Sequence, residues 1–202
     1  MSVNNPNFVA ISELNSGLAT KVSYEPFSSG LPSAGAVAAT LPRTTPFANL
    51  PASLVSGREQ VILIWLDAGT VITSISFWSG STAATTPTNQ WFSIRDVNRN
   101  LKAITVDGTT GIWNTVTEKT LALTAPFTVP TSGFYYLGCM VAAATPPTLL
   151  GVAYAAGTAV SGKPPIVTGF DGTNTGLTTP ATAPAVSAAY TVAALLPYVT
   201  LQ

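Results

Sequence analysis

From Arg58 onward the chain is a succession of short apolar runs, and turn residues cut it roughly every ten positions. That spacing leaves no amphipathic stretch of three helical turns and favours short, paired strands. Glu59–Asp67 holds the continuous apolar run Val61–Leu66, as expected of a strand buried on both faces. Ala68-Gly69 turns it into Thr70–Trp78, where Val71, Thr73, Ile75 and Phe77 share one face. Ser79–Thr88 reads as a loop. Trp91–Arg95 follows as a strand with Phe92 and Ile94 on one side and Ser93 and Arg95 on the other. Asp96-Val97-Asn98-Arg99-Asn100 makes a hairpin turn into Leu101–Val106. Further strands are expected at Asn114–Leu123, Phe134–Ala143, Leu149–Tyr154 and Ala189–Leu201. Pro126 and Pro130 confine Phe127–Val129 to an edge or loop, and Pro197 demands an edge or a bulge. Gly157–Pro184 reads as a Gly/Pro/Thr-rich connection.

Residues 1–56 differ. Six prolines (Pro6, Pro26, Pro32, Pro42, Pro46, Pro51) interrupt any periodicity, which predicts an extended arm. Such an arm has little core of its own and is expected to lie against the domain's own flank or a neighbouring subunit, with the neighbour favoured. The fold expected is therefore all-β: a β-sandwich or jelly-roll-like domain over 57–202, preceded by an extended Pro-rich N-terminal arm over 1–56.

Charged residues make up only 8% of the chain against 47% hydrophobic, a balance that suits a surface covered by neighbours. The longest strongly apolar run, Val61–Leu66, is far short of the ~20 residues of a spanning helix, so no membrane partner is expected. Eight basic and eight acidic residues are scattered singly, without the basic cluster that nucleic acid requires. The opening residues show neither a basic region nor an apolar one, and no Asn is followed two positions later by Ser or Thr. Synthesis in a cytoplasm without a secretory signal is expected. The single cysteine, Cys139, lies in an apolar stretch and reads as a small buried hydrophobe.

The chain contains no histidine, which removes the Ser-His-Asp and Cys-His arrangements and the commonest metal ligand. Gly157-Thr158-Ala159-Val160-Ser161-Gly162-Lys163 has phosphate-loop spacing, but Pro164 stands where Ser or Thr must hold magnesium. Asp96–Asn100 with Asp107 resembles a calcium loop, yet Leu101 replaces the required glycine and Arg99 adds a positive charge. Nor does the spacing of the acidic residues pair two carboxylates for glycoside hydrolysis. No enzyme is expected, and no catalytic, cofactor-binding or metal-ligating residue is assigned. Trp65, Trp78, Trp91 and Trp113, with Tyr135-Tyr136, are candidates for a sugar-stacking face, although aromatic residues in strands serve mainly as packing.

Read in order, Ala68–Phe77, Asn89–Phe92, Leu101–Asp107, Leu121–Val129, Gly133–Gly138 and Pro146–Leu149 resemble the β-sandwich domains of virion proteins of tailed bacteriophages, particularly those infecting actinobacteria. The resemblance covers about residues 57–155 and is architectural, so it transfers no functional residues. It implies a virion location. The short length and leading arm turn that implication toward a capsid decoration or minor capsid protein, clustered as trimers on the major capsid protein. A minor tail or head-fibre protein with a carbohydrate-binding, host-attachment sandwich is the alternative.

Overall fold

The computed structural model describes residues 35–42, 48–153, 163–193 and 195–202, with the main chain alone for 49–53. Every strand pairing is antiparallel. Nearly all of the described secondary structure is strand; the helical exception is a three-residue 3-10 turn at Pro180–Thr182.

One sheet has four strands, in the order β1 (Ala38–Ala39), β13 (Val199–Leu201), β4 (Val71–Trp78), β7 (Glu118–Thr128). The second has six: β11 (Tyr190–Val192), β10 (Thr168–Asp171), β3 (Gln60–Leu66), β8 (Gly133–Thr145), β5 (Thr85–Asp96), β6 (Leu101–Ile104). A third, small sheet sets β9 (Thr148–Ala153) between β12 (Leu195–Pro197) and β2 (Ala48–Ser53). This is the all-β sandwich expected. Ile62, Ile64, Phe92, Ile94, Leu137 and Val141 from the six-stranded sheet meet Ile72, Ile75, Phe77, Leu121, Val199 and Leu201 from the four-stranded one. Phe77 and Phe92 touch across the layers with ring centroids 4.7 Å apart. Each such side chain contributes roughly 1.5–3 kcal/mol by leaving water.

One side of the sandwich is closed by a strand that changes sheet. Leu101–Ile104 pairs with β5; Thr105 then bridges to Leu123, and the Val106 N–H reaches the Ala122 carbonyl at 2.9 Å.

Several expectations are corrected. In β4 the expected single face breaks at a bulge: the Thr73 and Ser74 N–H groups both donate to the Gln202 carbonyl, and the register against β7 shifts there. The extra residue inverts the alternation, so Ile72 and Ile75 are buried while Val71 and Thr73 are exposed. The loop expected at Ser79–Thr88 is strand from Thr85, because β8 runs on to Thr145 and offers partners; Pro87, lacking a donor, coincides with a register shift. Within the supposed 157–184 connection, Thr168–Asp171 is a strand between β3 and β11. The expected single strand at Ala189–Leu201 is three short ones in three sheets, and Pro197 does lie on an edge strand, β12. Pro126 and Phe127 likewise fall in the edge strand β7. In the expected arm, residues 1–34 and 43–47 lie outside the described residues, but Ala38–Ala39 and Ala48–Ser53 pair with β13 and β9 of the same chain, and Leu54 joins the core.

Candidate functional site

The outward face of the six-stranded sheet carries the polar and aromatic residues that the core leaves over, and a flap, residues 172–189, covers the part around Trp91, Arg95 and Met140. The flap buries Trp91, Met140 and Ala142 of the sheet beneath Leu177. The Trp91 Nε1–H donates to the Thr178 carbonyl at 2.9 Å. Two further stitches hold the flap down, from the Leu101 N–H to the Ala185 carbonyl and from the Leu177 N–H to the Gly57 carbonyl, each 2.8 Å.

Beneath the flap lies an ion pair absent from the sequence reading. Glu59 and Arg95 are both fully buried. Arg95 Nη2 is 2.9 Å from Glu59 Oε2, and Nε donates to both carboxylate oxygens at 3.0 and 3.1 Å. Ser93 Oγ donates to Oε1 in a short contact, and Arg95 Nη1 donates to the carbonyls of Pro184 at 2.9 Å and Arg99 at 3.2 Å. Gly138 makes room for the carboxylate, since a Cβ there would stand 2.1 Å from Glu59 Oε1. The pair ties β5 and the residue leading into β3 to the flap, and with neither group reaching solvent it is a structural lock. Asp171 closes one end of the flap: its carboxylate accepts from the Thr173 and Asn174 N–H groups and from Asn174 Nδ2. Burial acts to raise its pKa, but these hydrogen bonds, led by Asn174, outweigh burial and hold it below the ordinary carboxylate range.

The uncovered part of the face is apolar. Trp65 and Phe134, directly paired across β3 and β8, stack edge to face at 5.1 Å and remain 46% and 44% exposed. Trp65 Nε1–H donates to Asp67 Oδ1 at 3.0 Å. Beside them lies an open groove of about 210 Å3. Its floor is Tyr136 against Tyr190, edge to face at 4.9 Å; one wall is Pro164-Pro165-Ile166, and Val97 and Arg99 form the other. Burial raises the pKa of both tyrosines, and the nearby Glu59 charge adds to the shift at Tyr190. Arg99 Nε donates to the Ser187 carbonyl at 3.1 Å, which fixes the guanidinium at the groove.

Arg99 stands in the Asp96–Asn100 turn, at φ 70°. Asp96 Oδ1 accepts from the N–H groups of Asn98 and Asn100 and from Asn100 Nδ2, and Lys102 Nζ lies 3.0 Å from Oδ2. Burial raises the Asp96 pKa, but the bonds from Asn100 and Lys102 lower it further than burial raises it. Asp107, the other carboxylate of the calcium-like spacing, instead accepts from the Gln90 and Thr109 N–H groups and from Asn89 Nδ2.

A second exposed surface is the loop 106–117. Its base is fastened: Trp113 is buried with Nε1–H donating to the Thr117 carbonyl at 3.1 Å, Gln90 Nε2 donates to the Thr109 and Gly111 carbonyls, and Lys119 Nζ reaches the carbonyls of Gly111 and Ile112. From this fixed base Ile112 and Val116 project, 76% and 66% exposed.

The four tryptophans therefore do not converge. Trp91 and Trp113 are core, Trp78 is half-buried beside Tyr198, and Trp65 alone is exposed. Tyr135 and Tyr136 are both buried. Of the phosphate-loop-like motif, 157–162 lie outside the described residues. Cys139 is fully buried, and burial together with the Glu59 charge pushes its thiol pKa well up. No group of three metal-ligating side chains occurs among the described residues, and no helix among them is long and apolar enough to cross a membrane. Sequence reasoning missed the groove, because Arg99, Tyr136, Pro164 and Tyr190 are distant in sequence; the available signal was Arg99 itself, a charge inside a tight turn.

Comparison of the chain with family models, with curated proteins and with solved structures returned no match.

Proposed function

We propose that this chain is a structural component of a phage particle, a capsid decoration or minor capsid protein that stabilises the shell by surface contact. The observation that carries the reading is the loop 106–117, where Ile112 and Val116 are held out to solvent from a base fixed by Trp113, Gln90 and Lys119. A rigid apolar projection loses little entropy on docking, so more of its gross gain of ~25 cal/mol per Å2 survives as affinity. The low charge of the whole chain supports the same reading, since few desolvated charges would oppose burial. The partner is the major capsid protein, with the subunits grouped as trimers and residues 1–34 adding contacts beyond the domain.

The test is incorporation into particles. Particles assembled with the Ile112→Asp, Val116→Asp variant should carry markedly less of it than wild type, while the purified variant keeps its β-sheet circular dichroism. Equal occupancy of the two chains on the particle overturns the reading.

A further inference from the structure

The groove on the outward face has the chemistry of a receptor for an extended peptide. Aromatic rings and prolines line it, so its surface is mostly apolar. A polyproline-like segment fits such a site, because its extended backbone is set in advance and makes no internal hydrogen bonds. Arg99 at the side adds one fixed positive charge. The occupant should therefore combine a proline, aromatic rings and a single acidic residue within a few positions.

The chain supplies such a segment. Among residues 1–34 there are two acidic residues, Glu13 and Glu25, and one basic residue, Lys21. Glu13 has neither a proline nor a ring within two positions; Glu25 stands in Tyr24-Glu25-Pro26-Phe27. We infer that this segment of one copy occupies the groove of a neighbouring copy, with Glu25 against Arg99 and the rings of Tyr24 and Phe27 toward Tyr190 and the exposed Trp65–Phe134 pair. Reach permits it. The described chain starts at Gly35, just ahead of β1, the edge strand of the four-stranded sheet. The ten residues from Glu25 to Gly35 span at most about 35 Å, while a domain of this size has a radius of gyration of roughly 15 Å. Two abutting copies are within that span. The inference rests on the reading of this protein as a subunit among copies of itself, and it names the surface by which the copies hold one another.

Cross-linking between two differently labelled full-length chains tests it. One carries S28C, next to the segment, and the other V97C on the groove wall; the native Cys139 is buried and fully shielded. Mixed under mild oxidation, the two should form a heterodisulfide at least tenfold faster than S28C mixed with I112C, whose cysteine is more exposed but lies on loop 106–117. Adding E25R to the S28C chain should remove that preference. Residue 25 lies ahead of every described strand, and circular dichroism of the E25R chain checks that the sandwich is kept. Equal rates with V97C and I112C, or a preference indifferent to E25R, overturn the assignment. The failures are separable. If the Ile112→Asp, Val116→Asp variant leaves particles but V97C is not preferred, the structural role stands and the groove assignment falls. If that variant remains on particles, the structural role itself is lost.

Discussion

Glu59 and Arg95 show how costly a single interior pair is to alter. Each has left water entirely, and their mutual attraction with the bonds from Ser93 and to Pro184 offsets that desolvation. Arg95→Met would leave the Glu59 carboxylate buried and unpaired, and should lower the unfolding free energy by about 3–5 kcal/mol. Replacing both by methionine should cost much less, since no isolated charge remains. Urea unfolding of the single and double variants measures both, and an equal loss in the two would show that the pair acts through packing alone. Gly138→Ala should be comparably damaging to Arg95→Met, because its Cβ falls on the carboxylate and on Ser93 Oγ. Asp171 and Asp96 add a pH dependence. Their folded-state pKa values lie below the unfolded ones, so their stabilisation is complete above the unfolded carboxylate value of about 4 and is lost as pH falls through the lower, folded values. Stability should therefore drop on acidification below about pH 4, and Asp171→Asn should flatten that drop while lowering stability at neutral pH.

Among the elements, the strands obey local rules until a bulge or a proline intervenes. The bulge at Thr73 turns Ile72 inward and Val71 outward, and Pro197 sits on the edge strand where its missing N–H costs no ladder bond. The loop 106–117 behaves differently, because its fastening residues and its projecting ones are separate. Ile112→Asp with Val116→Asp should change stability by no more than ~0.5 kcal/mol, as expected of exposed positions away from the core. The same variant should bind particles far more weakly, so chemical unfolding and a particle co-sedimentation assay, run together, separate contact from folding. A large loss of stability would show the two side chains to be part of the loop's own support. Asp96–Asn100 was legible as a hairpin turn closed by its Asn and Asp side chains, because those bonds span four residues at most. The strand Thr168–Asp171 was not legible; it is four residues long with Gly169 inside, and its pairing with β3 is what makes it a strand.

At the level of the whole molecule, the two ends of the described chain meet on one sheet: β1 pairs with β13, and the Val37 N–H donates to the Leu201 carbonyl at 2.8 Å. A chain lacking residues 1–34 still contains both strands. Removing 1–56 also takes β1, β2 and the core residue Leu54, and should yield a chain with a lowered, broadened thermal transition where the shorter deletion keeps the wild-type one. Differential scanning calorimetry of the two deletions checks this, and identical transitions would mean that β1 and β2 add nothing to the sandwich.

By itself the sequence determined that the protein is built of strands, roughly where most of them run, that Phe92 and Ile94 share one side of a strand, and that the prolines at 126 and 197 stand at an edge or an irregularity. Those are consequences of alternation and backbone sterics acting over a few residues. Only the tertiary structure decided that Glu59 meets Arg95, that the tryptophans separate into core and surface, and that Arg99, Tyr136, Pro164 and Tyr190 form one groove. Each depends on which strands become neighbours and in what register, and that is settled by burial of apolar area between residues far apart in the chain, a sum that no local window contains.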